Sequence, residues 1–333
     1  MKLSLAKYAI LLILCGVAVF NQSCKKDKKP NYPYGYFPYD VVNLEGLNSE
    51  FDDYNTDAHA IEGQIGVVFS SSRKSAGGQF DLEQGAISYT YDKMTGEYKS
   101  TTSMTNDAFT QNIINKAVTS GDDFGPYRFF CTSDGFEYLI LSSVNANGDL
   151  DFFYLKNIPM YGPNYPEIQG PFPINLLNTA SNDAYISFNH DFSAAYFSSD
   201  KSGNFDIYMQ NFSTEKLLSD QLDMPYTVSG KLDAVSSNGN DKCPFVHRDV
   251  MVFASDRLGG LGGFDLYYSV FKDGKWSSPT NFGPEVNTEY DEYRPILGSV
   301  PDFKNSYMIF SSNRPEGKGG FDLYFKGIYL PEL

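Results

Sequence analysis

Short apolar and aromatic runs alternate along this chain with polar, glycine-rich stretches, and the same alternation is written several times. Residues 253–268 read FASDRLGGLGGFDLYY and residues 310–325 read FSSNRPEGKGGFDLYF. Weaker copies stand at 197–208 (FSSDKSGNFDIY), 69–84 (FSSSRKSAGGQFDLEQ) and 141–154 (LSSVNANGDLDFFY). Each copy predicts a strand that ends on a serine pair, a loop whose glycines supply the positive φ of a tight connection, and a second strand opening on an acid. A unit of this kind, recurring every 50 to 70 residues, predicts a repeat architecture.

A second phrase falls between the copies: NSEFDDY at 48–54, TSGDDFGP at 119–126, SNDAY at 181–185, NGNDKCP at 238–244 and NTEYDEYRP at 287–295. Taking Asp53, Asp123, Asp183, Asp241 and Asp291 as its markers gives steps of 70, 60, 58 and 50 residues. The last unit lacks its outer strand, while YFPYDVVNLEGLNSEFDDY at 36–54 resembles both GPFPINLLNTASNDAY at 170–185 and KWSSPTNFGPEVNTEYDEY at 275–293. An N-terminal strand that completes the C-terminal unit removes both open sheet edges at once. The expected fold is therefore all-β, a five-bladed β-propeller closed by an N-terminal strand in the last blade, six blades being the alternative count. The stretch 104–118 reads as either a short helix or an outer strand with a long connection.

The Phe-Ser-Ser-Asp-Arg, Gly-rich, Phe-Asp-Leu-Tyr pattern of the copies at 197, 253 and 310 resembles the WD-like propeller repeat of TolB-type proteins and of envelope lipoproteins from Bacteroidetes-like bacteria. That resemblance implies a noncatalytic module that binds or assembles with an envelope protein.

The N-terminus is built differently. Lys2 and Lys7 precede an apolar run from Tyr8 to Phe20, too short for a comfortable membrane span and suited to a secretory signal, and Ser23-Cys24 is followed by Lys25, Lys26, Lys28 and Lys29. Residues 1–23 are expected to be a lipoprotein signal peptide, with Cys24 lipidated, residues 24–35 a tether and 36–333 a single propeller domain. This places the chain in the cell envelope, anchored to a membrane by lipid, with the outer membrane preferred. Loss of Cys15 with the signal peptide leaves Cys131 and Cys243, expected as free buried thiols. The net charge of −15 argues against nucleic acid, which selects a basic footprint. No His or Cys stands at metal-ligand spacing, so neither metal nor other cofactor is expected.

In a propeller the loops between the second and third strands and those between blades emerge at one end. Arg73, Asp200, Lys201, Asp256, Arg257, Asn313 and Arg314 are thus expected to share a face with Asp53, Asp123, Asp183, Asp241 and Asp291, and this is the candidate binding face. Asp81, Asp151, Asp206, Asp265 and Asp322, each opening a strand just past a turn, are read as structural. His190 and His247 fall in turns at the opposite end and are expected to be solvated, and His59 has no evident partner. A glycan ligand, or a glycosidase of the five-bladed propeller type, is the alternative function. Glycosidases need two or three unlike carboxylates, and only Glu50, Glu289 and Glu292 are nonrepeating acids near that rim.

Overall fold

Each repeat folds as one antiparallel sheet, and five sheets stand in a ring. In the computed structural model, which describes residues 31–157 and 167–331, the innermost strands are Asp53–Ile61, Asp123–Cys131, Asp183–Phe188, Asp241–His247 and Glu292–Gly298. The second strands are Gln64–Ser71, Phe136–Val144, Ala194–Ser199, Val250–Ser255 and Ser306–Ser312, and the third run from Asp81, Leu150, Asp206, Asp265 and Asp322. The fold is the expected five-bladed propeller, and its closure is the expected one: Val42 and Asn43 pair with Phe325 and Tyr324 as the fourth strand of blade five.

The resemblance between the three inter-blade stretches has a physical cause. Asn48, Asn178 and Asn287 occupy equivalent places, and each carboxamide accepts from and donates to the backbone of one residue on the third strand, Leu323, Phe152 and Leu266 respectively. Each clasp ties the irregular entry of one blade to the sheet before it. Phe37 then nails the closure down. It is buried, stacked on Phe303 at 4.0 Å, with Tyr307 and Phe325 edge-on at 5.5 Å each. Truncating it to Ala removes a ring at the joint, at a cost of about 3–5 kcal/mol.

The segment 104–118 is resolved by the helix Ala108–Ala117. Asp107 caps it by accepting from the Thr110 N–H at 2.8 Å, and Ile113, Ile114 and Ala117 form its buried face. Cys131 and Cys243 are free and buried.

Every innermost strand carries a bulge two residues after its opening acid. The bulged residues are Asn55, Gly125, Tyr185, Cys243 and Arg294, all at φ between 45° and 61°. Positive φ at four non-glycine residues in equivalent places marks a feature the architecture enforces. Contacts between non-adjacent blades show where these residues point. Asn55 of blade one lies 3.5 Å from the Tyr185 hydroxyl of blade three, and Arg294 of blade five donates through Nη2 to the Pro126 carbonyl of blade two at 3.3 Å. They fill the axial channel.

Candidate functional site

The ends of the ring differ in chemistry. At the end where the innermost strands begin, the cross-strand register places an acid, a serine and an acid in one row of each blade: Asp53–Ser71–Asp81, Asp123–Ser143–Asp151, Asp183–Ser199–Asp206, Asp241–Ser255–Asp265 and Glu292–Ser312–Asp322. The fifth blade-start acid is therefore Glu292 and not Asp291. The one-residue error arose because Asp291-Glu292 offers two adjacent acids. Asp291 does another task, accepting from the Phe264 N–H and from the Asn313 amide.

All five opening acids are buried. A Ser or Thr four residues earlier caps each one: Ser49, Thr119, Thr179, Ser237 and Thr288 bond Asp53, Asp123, Asp183, Asp241 and Glu292. In three blades a guanidinium two residues beyond the serine completes the row. Arg73 meets Asp53 at 2.6 Å, Arg257 meets Asp241 at 2.5 Å and Arg314 meets Glu292 at 3.0 Å. In blade three Lys201 stands there instead, with its ammonium over the Tyr208 ring at 3.8 Å and bonded to Ser229, and blade two has Asn145, which bonds Asp151. Burial raises the carboxyls of Asp123, Asp183 and Glu292 above the ordinary range, and lowers the Lys201 ammonium.

Asp200 and Asp256 accept from the amides of Asn182 and Asn240, and the Asp291–Asn313 pair is the same contact with the residues exchanged. The third-strand acids take turn N–H groups or neighbouring side chains. Asp265 accepts from Leu261 and Gly262, Asp322 from Lys318 and Gly319, Asp206 from Ser202 and Lys231, and Asp81 from Gln79. The candidate face thus lies at one end of the ring with most of its polar groups engaged by one another, one oxygen each of Asp151, Asp183 and Asp206 excepted. Its mouth is roofed by aromatic rings, with Tyr54 packed on Phe80, Phe124 and Phe321, and Tyr293 on Phe264. Glu50 and Glu289 are exposed there, whereas Glu292 is consumed by its arginine.

The channel offers no acid at its bulge positions. Arg294 is fully buried, its guanidinium 5.6 Å over the Tyr185 ring, with Nε and Nη1 unpartnered among the described residues. Burial pushes the Cys243 thiol up to about 12, so it stays protonated. Toward the far end Asp57 is buried. Burial opposes its ionisation, but the nearby His59 imidazole and the Arg128 guanidinium at 3.1 Å hold its carboxyl below the usual range. His59 therefore has a partner, Asp57 at 3.6 Å.

At that far end a groove of about 960 Å³ opens between blades three and four. The turn 189–193 supplies His190 and Asp191, the hairpin turn 248–249 supplies Arg248 and Asp249, and Tyr196, Phe271 and Trp276 form an apolar wall. Trp276 stands perpendicular to Tyr196 at 5.6 Å and 5.1 Å from Phe271. The Ser193 hydroxyl and N–H donate to Asp191 and hold its carboxyl low. His247 is not the solvated residue expected from its turn. Burial, aided by Arg248, drives its imidazole down to about 4, and it meets the Ser299 hydroxyl at 3.1 Å. The groove has no signature in the sequence because its walls come from positions that do not repeat.

Solved structures resemble this chain over most of its length. A thermostable family-43 glycoside hydrolase aligns with 90% of this chain and 94% of its own, at a TM-score of 0.54 and 14% identity. The endo-arabinase from Bacteroides thetaiotaomicron VPI-5482 gives 0.54, 12% identity and coverages of 89% and 98%. The catalytic domain of the Coprinopsis cinerea GH62 α-L-arabinofuranosidase gives 0.51, 11% identity and coverages of 89% and 98%. No protein-family model and no curated protein matches the chain. At such identities the likeness fixes the five-bladed architecture. It also corrects the TolB-type resemblance, since the three structures above, which align nearly end to end, are glycoside hydrolases. The noncatalytic, protein-docking reading drawn from that resemblance falls with it. Residues 1–23, expected as a signal peptide, and Cys24 lie outside the described residues.

Proposed function

We propose that the protein is a carbohydrate-active propeller of the glycoside hydrolase type that seats a glycan in the groove between blades three and four. One observation carries the reading: an aromatic wall and two carboxylates from neighbouring blades line one groove of sugar size. Glycoside hydrolysis needs a pair of carboxylates flanking the scissile bond. The blade-start acids are buried in rows with serine, and the channel bulges carry none. A smaller groove between blades five and one also holds two carboxylates, Glu62 and Asp302, but Asp302 is paired with Lys93 at 2.9 Å, so Asp191 and Asp249 of the larger groove are the pair we assign. Asp191, kept ionised by Ser193, suits the base or nucleophile, and Asp249 is the second carboxylate of the pair. The end-to-end likeness to glycoside hydrolases supports the same class.

Anchoring through Cys24 belongs to the same proposal. The last residues of the tether lie against the groove's end of the ring, where the Tyr32 and Gly35 N–H groups donate to the carbonyls of Lys93 and Asp302. An acylated Cys24 would hold that end nearest the membrane.

The test is turnover and binding of arabinan, xylan, fructan and mannan by the purified protein. Asp191→Asn and Asp249→Asn are expected to lower turnover by about 10²-fold or more while binding persists, and Trp276→Ala to lose binding. Binding without turnover would retain the glycan and remove the hydrolysis. Neither binding nor turnover would end the proposal.

A further inference from the structure

The geometry points to an acidic sugar, a uronate, as the residue held in this groove, an inference that rests on the glycan reading above. The chain carries a net charge of −15, yet the groove presents Arg248 and Lys275 against Asp191 and Asp249, which leaves its charged lining balanced. Neither cation has an ion-pair or hydrogen-bond partner among the described residues. That sets them apart from Arg73, Arg128, Arg257, Arg314 and Lys231, each bound to a carboxylate.

Arg248 carries a second mark. It opens the two-residue turn between His247 and Val250 at φ 55°, a left-handed position that glycine or asparagine occupies at little cost and arginine does not. The neighbouring hairpin 272–275 meets the same demand with Asp273-Gly274. Placing a long cation at a strained position on the rim of a groove costs stability, and the chain bears that cost where a bound anion would offset it. Arg248 offers a planar fork of N–H donors that a carboxylate accepts in pairs, and Lys275 adds a point charge from the hairpin of the same blade. Between them and the Trp276 wall, a uronic acid finds both an apolar surface for its ring and cations for its carboxylate.

The test is titration of the full-length protein with trigalacturonate, its methyl ester and neutral galactotriose, in 20 mM and 500 mM salt. The expected order has trigalacturonate about tenfold or more tighter than the other two, with the advantage shrinking at high salt. Lys275→Gln and Arg248→Gly should each erase about tenfold of that advantage. Arg248→Gly also relieves the turn, so it is expected to melt no lower than the parent, which separates lost binding from lost folding. If the neutral sugar or the ester binds as tightly, and Trp276→Ala abolishes that binding, the uronate inference fails while the groove remains a glycan site. If no saccharide binds, the inference falls together with the glycan reading.

Discussion

Arg314 donates to Glu292 at 3.0 Å in the same place where Arg73 meets Asp53 and Arg257 meets Asp241, so blade five keeps the repeat's ion pair with a longer acid. Blade three breaks it. Asp183 keeps its caps, but its Oδ1 has no partner, because Lys201 has swung onto Tyr208. Lys201→Arg should restore the bond and raise stability by about 1 kcal/mol, whereas Arg257→Ala should lose about 3–5 kcal/mol by stranding Asp241. Chemical denaturation measures both, and a loss on Lys201→Arg would refute the equivalence of the two positions.

Blade two has no cation in its row, and burial raises the Asp123 carboxyl. A carboxyl whose folded pKa lies above its unfolded value of 3.8 favours the fold below that value, and the benefit is lost as pH rises through the folded pKa. Asp123→Asn should therefore be no less stable than the parent at pH 7, with its relative stability worsening toward pH 3. Asp241→Asn, which leaves Arg257 without its charge partner, should be destabilised at pH 7. Melting curves across that range distinguish the two.

His247 titrates with the opposite sign. Its folded value of about 4 lies below the ordinary 6.5, so the stability it contributes is complete above 6.5 and is lost as pH falls from there toward 4. His247→Asn should flatten the stability profile between pH 4 and 6.5, an effect of about 1–3 kcal/mol. An unchanged acid limb would show that the imidazole reaches water in solution.

Arg294 occupies the axis without a counter-charge among the described residues, and an arginine cannot shed its proton. Replacing it with Met removes a buried charge whose supports, among the described residues, are a tyrosine face and one carbonyl. Arg294→Met is expected to raise stability by about 1–3 kcal/mol. A clear loss in thermal unfolding would mean that the guanidinium has a partner worth more than its desolvation.

The repeat phrases were enough to predict an all-β ring, its five blades and its closure by residues near Val42, because a strand–loop–strand unit is a local pattern and an unpaired edge is a cost any array must remove. The structural role of Asp265 and Asp322 was legible for the same reason, since both bond to turn N–H groups three or four residues away. What the tertiary structure decided lies between repeats. Only the cross-strand register shows that Glu292, and not Asp291, shares a row with Ser312, and only ring closure brings Arg294 over Tyr185. The groove between Asp191 and Asp249 has no signature along the chain, because its two turns lie nearly sixty residues apart and its wall is made of nonrepeating aromatics. Repetition in a sequence records what every blade needs to fold, whereas a site is made where neighbouring blades differ, and that difference takes shape only when they stand side by side.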